Sequence, residues 1–165
     1  MKDALVAYFS ANPTGSSITK QAAEMAAAAA GADLYVIAPA RSYGDDRAET
    51  IQIAQEESNA KYRPDIKGPL PDVRDYNTIL LGFPNWSGTA PMAVFTFLDK
   101  IQEKGDLAGK RIIPFVISEG SGMQNGLEDL KKAYPEAVID EYGSFLSDDI
   151  ASSPQEVYDW IQEVF

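Results

Sequence analysis

The run Thr78-Ile79-Leu80-Leu81-Gly82 has the length of a strand and consists almost entirely of apolar residues. Such a strand is typical of the centre of a parallel sheet that helices cover on both sides. After a loop, Pro91 suits the first position of a helix that we expect to reach Gln102. This segment therefore predicts one strand–helix unit of an α/β protein.

The same alternation of strand and helix continues on both sides of this unit. We expect further strands over residues 4–9, 34–37, 111–117 and 137–142, and helices over residues 19–30, 47–58 and 127–133, with a last helix opening at 153–156. Gly31 suits a left-handed cap at the end of the first helix. The stretch 39–71 is predicted to be a long crossover with one helix inside it. The pattern as a whole predicts a doubly wound α/β fold, with a five-stranded parallel sheet and helices on both faces.

The composition restricts the chemistry that side chains can supply. The chain has 165 residues, which suits a single domain spanning 1–165, and its formal net charge is −11. That acidic charge argues against nucleic-acid binding, which needs a basic face. Because the chain has no cysteine and no histidine, it cannot form disulfides, Cys/His zinc sites or Ser-His-Asp triads. We expect no catalytic side chain and no metal site, so redox chemistry would need a bound cofactor.

The amino-terminal sequence gives no indication of export. Its apolar run, residues 5–9, is too short for the core of a signal peptide. The most apolar stretch, residues 22–30, is interrupted by Glu24 and falls far short of the ~20 apolar residues that a membrane span requires. We expect a cytoplasmic protein without a membrane partner.

The loop over residues 10–19 is a candidate anion cradle. Ligands of open parallel sheets bind beyond the carboxyl ends of the strands, and this loop follows the first strand. It is rich in hydroxyl side chains, contains no basic residue and leads directly into a helix. Backbone N–H groups and hydroxyls at the positive end of a helix can hold a phosphate without lysine or arginine. The alternative is a solvated loop in which Ser or Thr only caps the helix.

Two further loops follow the third and fourth strands. Residues 82–91 place Trp86 on a loop that glycine and proline constrain, where it either stacks on a flat conjugated ligand or anchors the loop by packing. Residues 118–126 are rich in glycine, which lets the backbone approach a ligand closely, although a flexible turn is the alternative. A dinucleotide fingerprint is disfavoured there, because the glycine spacing is one residue too long. Together the three loops describe a site for a phosphorylated planar cofactor.

The chain resembles flavodoxins and flavodoxin-like FMN proteins over nearly its whole length. The matching segments are Leu5-Val6-Ala7-Tyr8-Phe9-Ser10, Leu81-Gly82-Phe83-Pro84-Asn85-Trp86, Pro91-Met92-Ala93-Val94-Phe95-Thr96-Phe97-Leu98, Ile113-Pro114-Phe115 and Ser118-Glu119-Gly120-Ser121-Gly122. The resemblance implies the strand order 2-1-3-4-5. Because the fifth strand reads as uninterrupted, it also implies the short-chain type.

The resemblance also assigns residues to a bound FMN. Its phosphate would be held at the first loop by Ser10, Asn12, Ser16, Ser17, Ile18 and Thr19. Trp86 would lie on or beside the isoalloxazine ring. Backbone contacts to the ring edge would come from Pro84, Asn85 and Ser87, and its other side would be lined by Ser118, Glu119, Gly120 and Gly122.

Two departures from the family pattern bear on the activity. The first loop is longer than is common in flavodoxins and is similar to loops of FMN-dependent quinone and azo reductases, so that either residues 14–17 or residues 17–19 form the phosphate turn. Glu119 stands where flavodoxins often have an aromatic residue on the outer flavin face. We therefore expect one face of the flavin to be open to a substrate.

These features leave three functional hypotheses. The first is an FMN-bearing electron-transfer protein whose acidic surface lowers the potential of the last reduction step and steers a basic redox partner protein. The second is an NAD(P)H-dependent quinone or azo-type oxidoreductase that transfers two electrons to a small quinone-like acceptor. The third is a module that has lost FMN. The chain is expected to be a monomer or a homodimer, and the electron carrier is the favoured hypothesis.

Overall fold

The computed structural model describes residues 3–11, 17–44, 46–153 and 155–165, with all their side chains except that of Ala151. Within these residues, strands and helices follow one another as β1 (Ala4–Phe9), α1 (Ile18–Ala30), β2 (Asp33–Ile37), α2 (Arg47–Ala60), β3 (Thr78–Pro84), α3 (Met92–Glu103), β4 (Arg111–Ser118), α4 (Gly126–Ala133), β5 (Val138–Ile139), β6 (Gly143–Leu146), α5 (Ser147–Ser152) and α6 (Gln155–Val164). No helix in these ranges is both long and apolar enough to cross a membrane.

The strands form one parallel sheet in the order β2-β1-β3-β4-β5, with β6 also paired to β4. Val6 of β1 lies beside Leu34 of β2 on one side and Leu80 of β3 on the other, and Leu80 in turn pairs with Ile113 of β4. The expected order 2-1-3-4-5 is confirmed. Because β1 and β3 lie inside the sheet, their residues are buried almost throughout, as the apolar run at 78–82 predicts.

Helices cover both faces, so alternate residues of each strand enter different cores. The core under α3 and α4 includes Leu5, Ile79, Ile112, Phe97, Leu98, Ile101 and Leu130. The core under α1 and α6 includes Val6, Leu80, Ile113, Ala22, Ala23, Ala26, Val157 and Ile161. The small alanine side chains of α1 suit close packing on the sheet. Gly31 ends α1 with a φ of 62°, which confirms the predicted left-handed cap.

The fifth position of the sheet differs from the prediction. The prediction of one uninterrupted strand over 137–142 is wrong, because two short strands pair with β4 in its place. Strand β5 pairs with Arg111 and Ile112, and β6 pairs with the stretch from Phe115 to Ser118. Between them Glu141 adopts a φ of 52°, which breaks the extended backbone. Strand β6 then begins at Gly143, where a Cβ atom would lie only 2.7 Å from the Trp160 ring of α6.

The long crossover contains α2, which begins and ends with local signals. Asp46 caps its amino terminus by accepting a hydrogen bond from the Glu49 amide at 2.8 Å. Lys61 ends it with a φ of 51° in the left-handed region. Most of α2 is exposed, and Ala54 and Glu57 are its buried residues. The helix thus lies at the surface, where it forms one wall of the site described below.

Candidate functional site

Two adjacent cavities lie beyond the carboxyl ends of β1, β3 and β4. Their volumes are about 500 and about 260 Å³. Both are lined by Pro84, Trp86, Ile117 and Ser147, so they form one continuous candidate site. We refer to them as the large and the small cavity. Such volumes at this edge of a parallel sheet are typical of small-molecule sites.

The small cavity lies between the end of β1 and the beginning of α1. Its other lining residues are Phe9, Ser10, Ala11, Ser17, Ile18 and Thr19. Ser17 caps α1, because its Oγ accepts a hydrogen bond from the Lys20 amide at 2.9 Å. The amino-terminal end of a helix carries partial positive charge and unpaired N–H groups. The described lining contains no basic side chain, so the electrostatic attraction for an anion would come from the helix end.

Ser10 is the least satisfied polar group in this cavity. The residue is 3% exposed, and its Oγ has no hydrogen-bond partner among the described residues. A buried hydroxyl without a partner is costly to a folded protein. The hydroxyl therefore fits a ligand oxygen beside the helix terminus.

Four of the six predicted phosphate residues converge on the small cavity: Ser10, Ser17, Ile18 and Thr19. Asn12 and Ser16 lie outside the described residues. The same holds for most of the candidate turn at 14–17, whereas residues 17–19 form the described start of α1.

The loop after β3 lines the large cavity with all four of its predicted residues: Pro84, Asn85, Trp86 and Ser87. Their backbone groups differ in availability. The Asn85 amide donates to the Ile117 carbonyl oxygen at 3.3 Å, and the Trp86 amide donates to the Thr89 carbonyl oxygen at 2.9 Å. Pro84 has no N–H group. Of the three backbone amides in this segment, that of Ser87, which has a φ of 56°, is the one without a partner among the described residues.

Trp86 packs against neighbouring aromatic rings, as the loop-anchor interpretation of its sequence position expects. Its ring lies edge-on to Phe9, with 4.9 Å between the ring centroids, and to Tyr43, at 5.0 Å. These contacts anchor the loop, while the partly buried ring still lines both cavities. A planar ligand in the large cavity would therefore meet a Trp86 ring already held by packing.

Tyr43 packs against the Trp86 ring and was not among the predicted site residues. It is 2% exposed, and its hydroxyl donates to Glu57 Oε1 at 2.5 Å. Arg41 Nη1 lies 3.5 Å from Glu57 Oε2, which gives this buried carboxylate a positive neighbour. Burial raises the pKa of Tyr43 above its usual range, and the hydrogen bond to Glu57 raises it further as the second-largest cause. The Tyr43 hydroxyl therefore remains a donor at neutral pH.

The loop after β4 is held by a hydrogen-bonded serine. Ser118 Oγ accepts hydrogen bonds from the amides of Gly120 at 3.3 Å and Gly122 at 3.0 Å. Both glycines have positive φ values, 140° and 68°, that favour glycine. Ser118 and Glu119, two of the four residues predicted to line the flavin on this side, line the large cavity, and Ser121 does so too. Gly120 and Gly122 do not line it; they shape the loop.

The sequence interpretation missed the wall that α2 contributes. The large cavity is also lined by Arg47, Thr50, Ile51 and Ala54. Arg47 makes two hydrogen bonds to the Glu119 carboxylate, at 2.8 and 3.0 Å. Arg47 thereby holds the pKa of Glu119 below its ordinary value. The face expected to be open at Glu119 is therefore bridged by an ion pair. Ser147, at the start of the unpredicted helix α5, was missed as well.

Comparisons with known proteins agree with this fold. A protein from Bacteroides uniformis assigned as a flavoprotein is 33% identical over 97% of both chains, with a TM-score of 0.78. One from Bacteroides eggerthii is also 33% identical, over 98% of this chain and 97% of that one, with a TM-score of 0.79. A Lactobacillus acidophilus flavoprotein, solved in complex with FMN, is 23% identical over 97% of this chain and 99% of that one, with a TM-score of 0.68. No curated protein matches the sequence. The flavodoxin family model matches residues 3–164, and the chain belongs to the flavodoxin family.

Proposed function

We propose that the protein binds FMN across the two cavities and serves as an electron carrier. The observation that supports this most directly is the buried Ser10 hydroxyl beside the α1 amino terminus, which has no partner among the described residues. It lies in the small cavity, which is continuous with the large one. A phosphate bound in the small cavity would give that hydroxyl a partner. The similar Lactobacillus acidophilus flavoprotein was solved with FMN, which supports the same cofactor here.

The phosphate end of the site relies on neutral donors. Ser10 would donate its Oγ hydrogen to a phosphate oxygen, and amides at the amino-terminal end of α1 would supply further donors. Ser17 already accepts from the Lys20 amide, so its hydroxyl hydrogen remains available for a ligand.

The ring end of the site combines an apolar lining with a few polar groups. Trp86 and Ile117 offer apolar surface to a planar ring. The Ser87 amide, which has no partner among the described residues, would be available to the ring edge. FMN, when bound, supplies the electron-accepting chemistry, while these residues hold and shield it.

The side chains around the large cavity favour electron transfer over acid–base catalysis. Among the described residues that line the large cavity, Glu119 is the one with a carboxylate, and it forms an ion pair with Arg47. The formal net charge of −11 disfavours additional negative charge on a bound cofactor, which lowers its reduction potential. The same charge would steer a basic redox partner protein into a fast, weak complex.

A second candidate function is an FMN-dependent NAD(P)H quinone or azo-type oxidoreductase that transfers two electrons. The observation that favours it is the position of Glu119. Among the described residues, the wall that Glu119 shares with Ser118 and Ser121 carries no aromatic ring. A second planar molecule could stack on the flavin from that side once the Arg47–Glu119 pair opens.

Absorbance spectroscopy with FMN tests both functions. Titration of the apoprotein with FMN, followed by anaerobic stepwise reduction and then by NADPH addition to a fresh oxidised sample, separates them. Reduction in two one-electron steps and no reaction with NADPH supports the electron carrier. Direct bleaching by NADPH in one step supports the oxidoreductase. Absence of FMN binding would overturn both.

A further inference from the structure

The ion pair between Arg47 and Glu119 joins two walls of the large cavity. Arg47 lies in the first turn of α2, and Glu119 follows β4. Arg47 Nη1 and Nη2 each donate to one oxygen of the Glu119 carboxylate, at 2.8 and 3.0 Å. The two side chains are 73% and 67% exposed, so the pair lies at the mouth of the cavity. A small molecule that reaches the cavity by this side must pass it.

This ion pair can exchange its partners easily. Exposed ion pairs contribute little to stability, because water solvates both charges when they separate. Another carboxylate, or a phosphate, can therefore replace Glu119 on Arg47 without a large penalty. The planar guanidinium binds such groups through two parallel hydrogen bonds, the geometry that Glu119 already shows.

The surroundings of Arg47 restrict what the incoming group can be. Arg47 is the one basic side chain among the described residues that line either cavity. The formal net charge of −11 repels anions from the protein as a whole, so a local cation at the mouth has a selective effect. Ile51 and Ala54 lie on the same wall and offer apolar surface beside the charge. An anionic group attached to an apolar, flat body fits this combination.

We infer that Arg47 is a specificity residue for small redox substrates that carry an anionic group, and that Glu119 occupies the position of that group until a substrate displaces it. The inference rests on FMN binding at the proposed site and deepens the second candidate function, because the substrate would exchange electrons directly with the flavin held in the same cavity. It differs from a purely structural clasp, which would not distinguish charged from neutral substrates.

Acceptor selectivity of the reduced holoprotein tests the inference. FMN affinity of each variant is measured first, so that loss of the cofactor is separated from loss of selectivity. The FMN-loaded protein is then reduced anaerobically and mixed with either a neutral quinone or a sulfonated quinone. Each quinone takes up two electrons from the reduced flavin, with two protons from the flavin and solvent, and becomes the quinol. The measured quantity is the ratio of the two second-order rate constants.

We expect Arg47→Gln to lower the ratio of sulfonated to neutral rate constants by about tenfold, the effect of one charge-assisted contact. Glu119→Gln should raise the same ratio, because it frees Arg47. The matched controls are Arg74→Gln and Asp72→Asn, which remove the same charges from another exposed ion pair, with a 2.7 Å contact. This pair precedes the amino-terminal end of β3, whereas the cavity lies at its carboxyl end. They should leave the ratio close to that of wild type.

Three outcomes would overturn the inference. An unchanged ratio in Arg47→Gln, with FMN still bound, overturns the inference but leaves the proposed function intact. An equal shift in Arg74→Gln shows that net charge, and not Arg47, sets the preference. Failure of the wild-type protein to bind FMN overturns the inference together with the proposed function.

Discussion

The side-chain amide of Asn85 donates to the carbonyl oxygen of Gly122 at 2.8 Å, and this hydrogen bond ties the loop after β3 to the loop after β4. The same amide also donates to Gln124 Oε1 at 2.8 Å, while Asn85 Oδ1 accepts from the Gly88 amide at 3.0 Å. One residue thus positions two walls of the large cavity.

Asn85→Ala removes these three hydrogen bonds and should lower the free energy of unfolding by about 1–3 kcal/mol. It should also weaken FMN binding, because the two loops lose their connection. Urea denaturation and fluorescence titration measure the two effects. Gln52→Ala, which removes a side-chain contact from the exposed surface of α2, is the control. Normal FMN affinity in Asn85→Ala would show that the loops keep their positions without this residue.

Ser17→Asp tests the phosphate assignment without removing the helix cap. Aspartate caps helices as well as serine does, so α1 should remain folded. Its negative charge should repel the phosphate and weaken FMN binding by at least roughly tenfold. Riboflavin lacks the phosphate and should bind with nearly unchanged affinity. Equal losses for the two ligands would contradict the assignment of the small cavity.

Ser10→Ala separates binding from stability. The Ser10 hydroxyl is buried and has no partner in the part of the chain that the structure describes, so its removal should leave the free energy of unfolding of the apoprotein unchanged or raise it by up to about 1 kcal/mol. FMN binding should weaken by about tenfold, since the phosphate loses a hydrogen bond. Thermal unfolding with and without FMN gives both quantities. A destabilised apoprotein with normal FMN affinity would mean that the hydroxyl serves the fold instead.

The buried hydroxyl of Tyr134 should make the free energy of unfolding depend on pH in the alkaline range. Its hydroxyl donates to Asp99 Oδ1 at 2.7 Å and to the Phe95 carbonyl oxygen at 2.9 Å. Burial raises the pKa of Tyr134 above its usual range, and the hydrogen bond to Asp99 raises it further as the second-largest cause. The unfolded chain therefore releases this proton above about pH 10 while the folded protein retains it. This contribution to stability is present below pH 10 and is lost as pH rises beyond it, by up to about 1.4 kcal/mol per pH unit.

Tyr134→Phe should make the decline in stability between pH 9.5 and 11 less steep, although the variant is less stable at neutral pH. Urea denaturation across that range measures the slope. Tyr142→Phe, at a half-exposed side chain, provides the comparison and should decline as wild type does. Equal slopes in wild type and Tyr134→Phe would refute the prediction.

The sequence of strands and helices was predictable because it depends on local signals, whereas the strand order was implied by the resemblance to flavodoxins. The apolar stretch at β3, the left-handed Gly31 and the helix-starting Pro91 are each recognisable within a few residues. The fifth sheet position was not, because the exposed apolar side chains of Val138 and Tyr142 look like strand residues in sequence. At the start of β6, Gly143 lies against the Trp160 ring of α6, and this contact depends on how that helix packs on the sheet.

Much of the candidate site followed from the loops that end the strands. Ser10, Ser17, Trp86 and Ser118 line the cavities because parallel strands bring their carboxyl ends to one edge. The α2 wall could not be found in this way. Its residues form an ordinary exposed helix in sequence, and their role depends on how that helix lies against the sheet.

By itself the sequence determined the alternation of strands and helices, the burial of the central strands and the hydroxyl-rich start of α1, because these follow from hydrophobic periodicity and local backbone preferences. Only the tertiary structure decided that Arg47 pairs with Glu119, 72 residues further along the chain. It also decided that Tyr43 packs against Trp86 while its hydroxyl donates to the buried Glu57. These contacts join segments distant in sequence. They exist only where the helices pack on the sheet, so they depend on the packing and not on any local pattern.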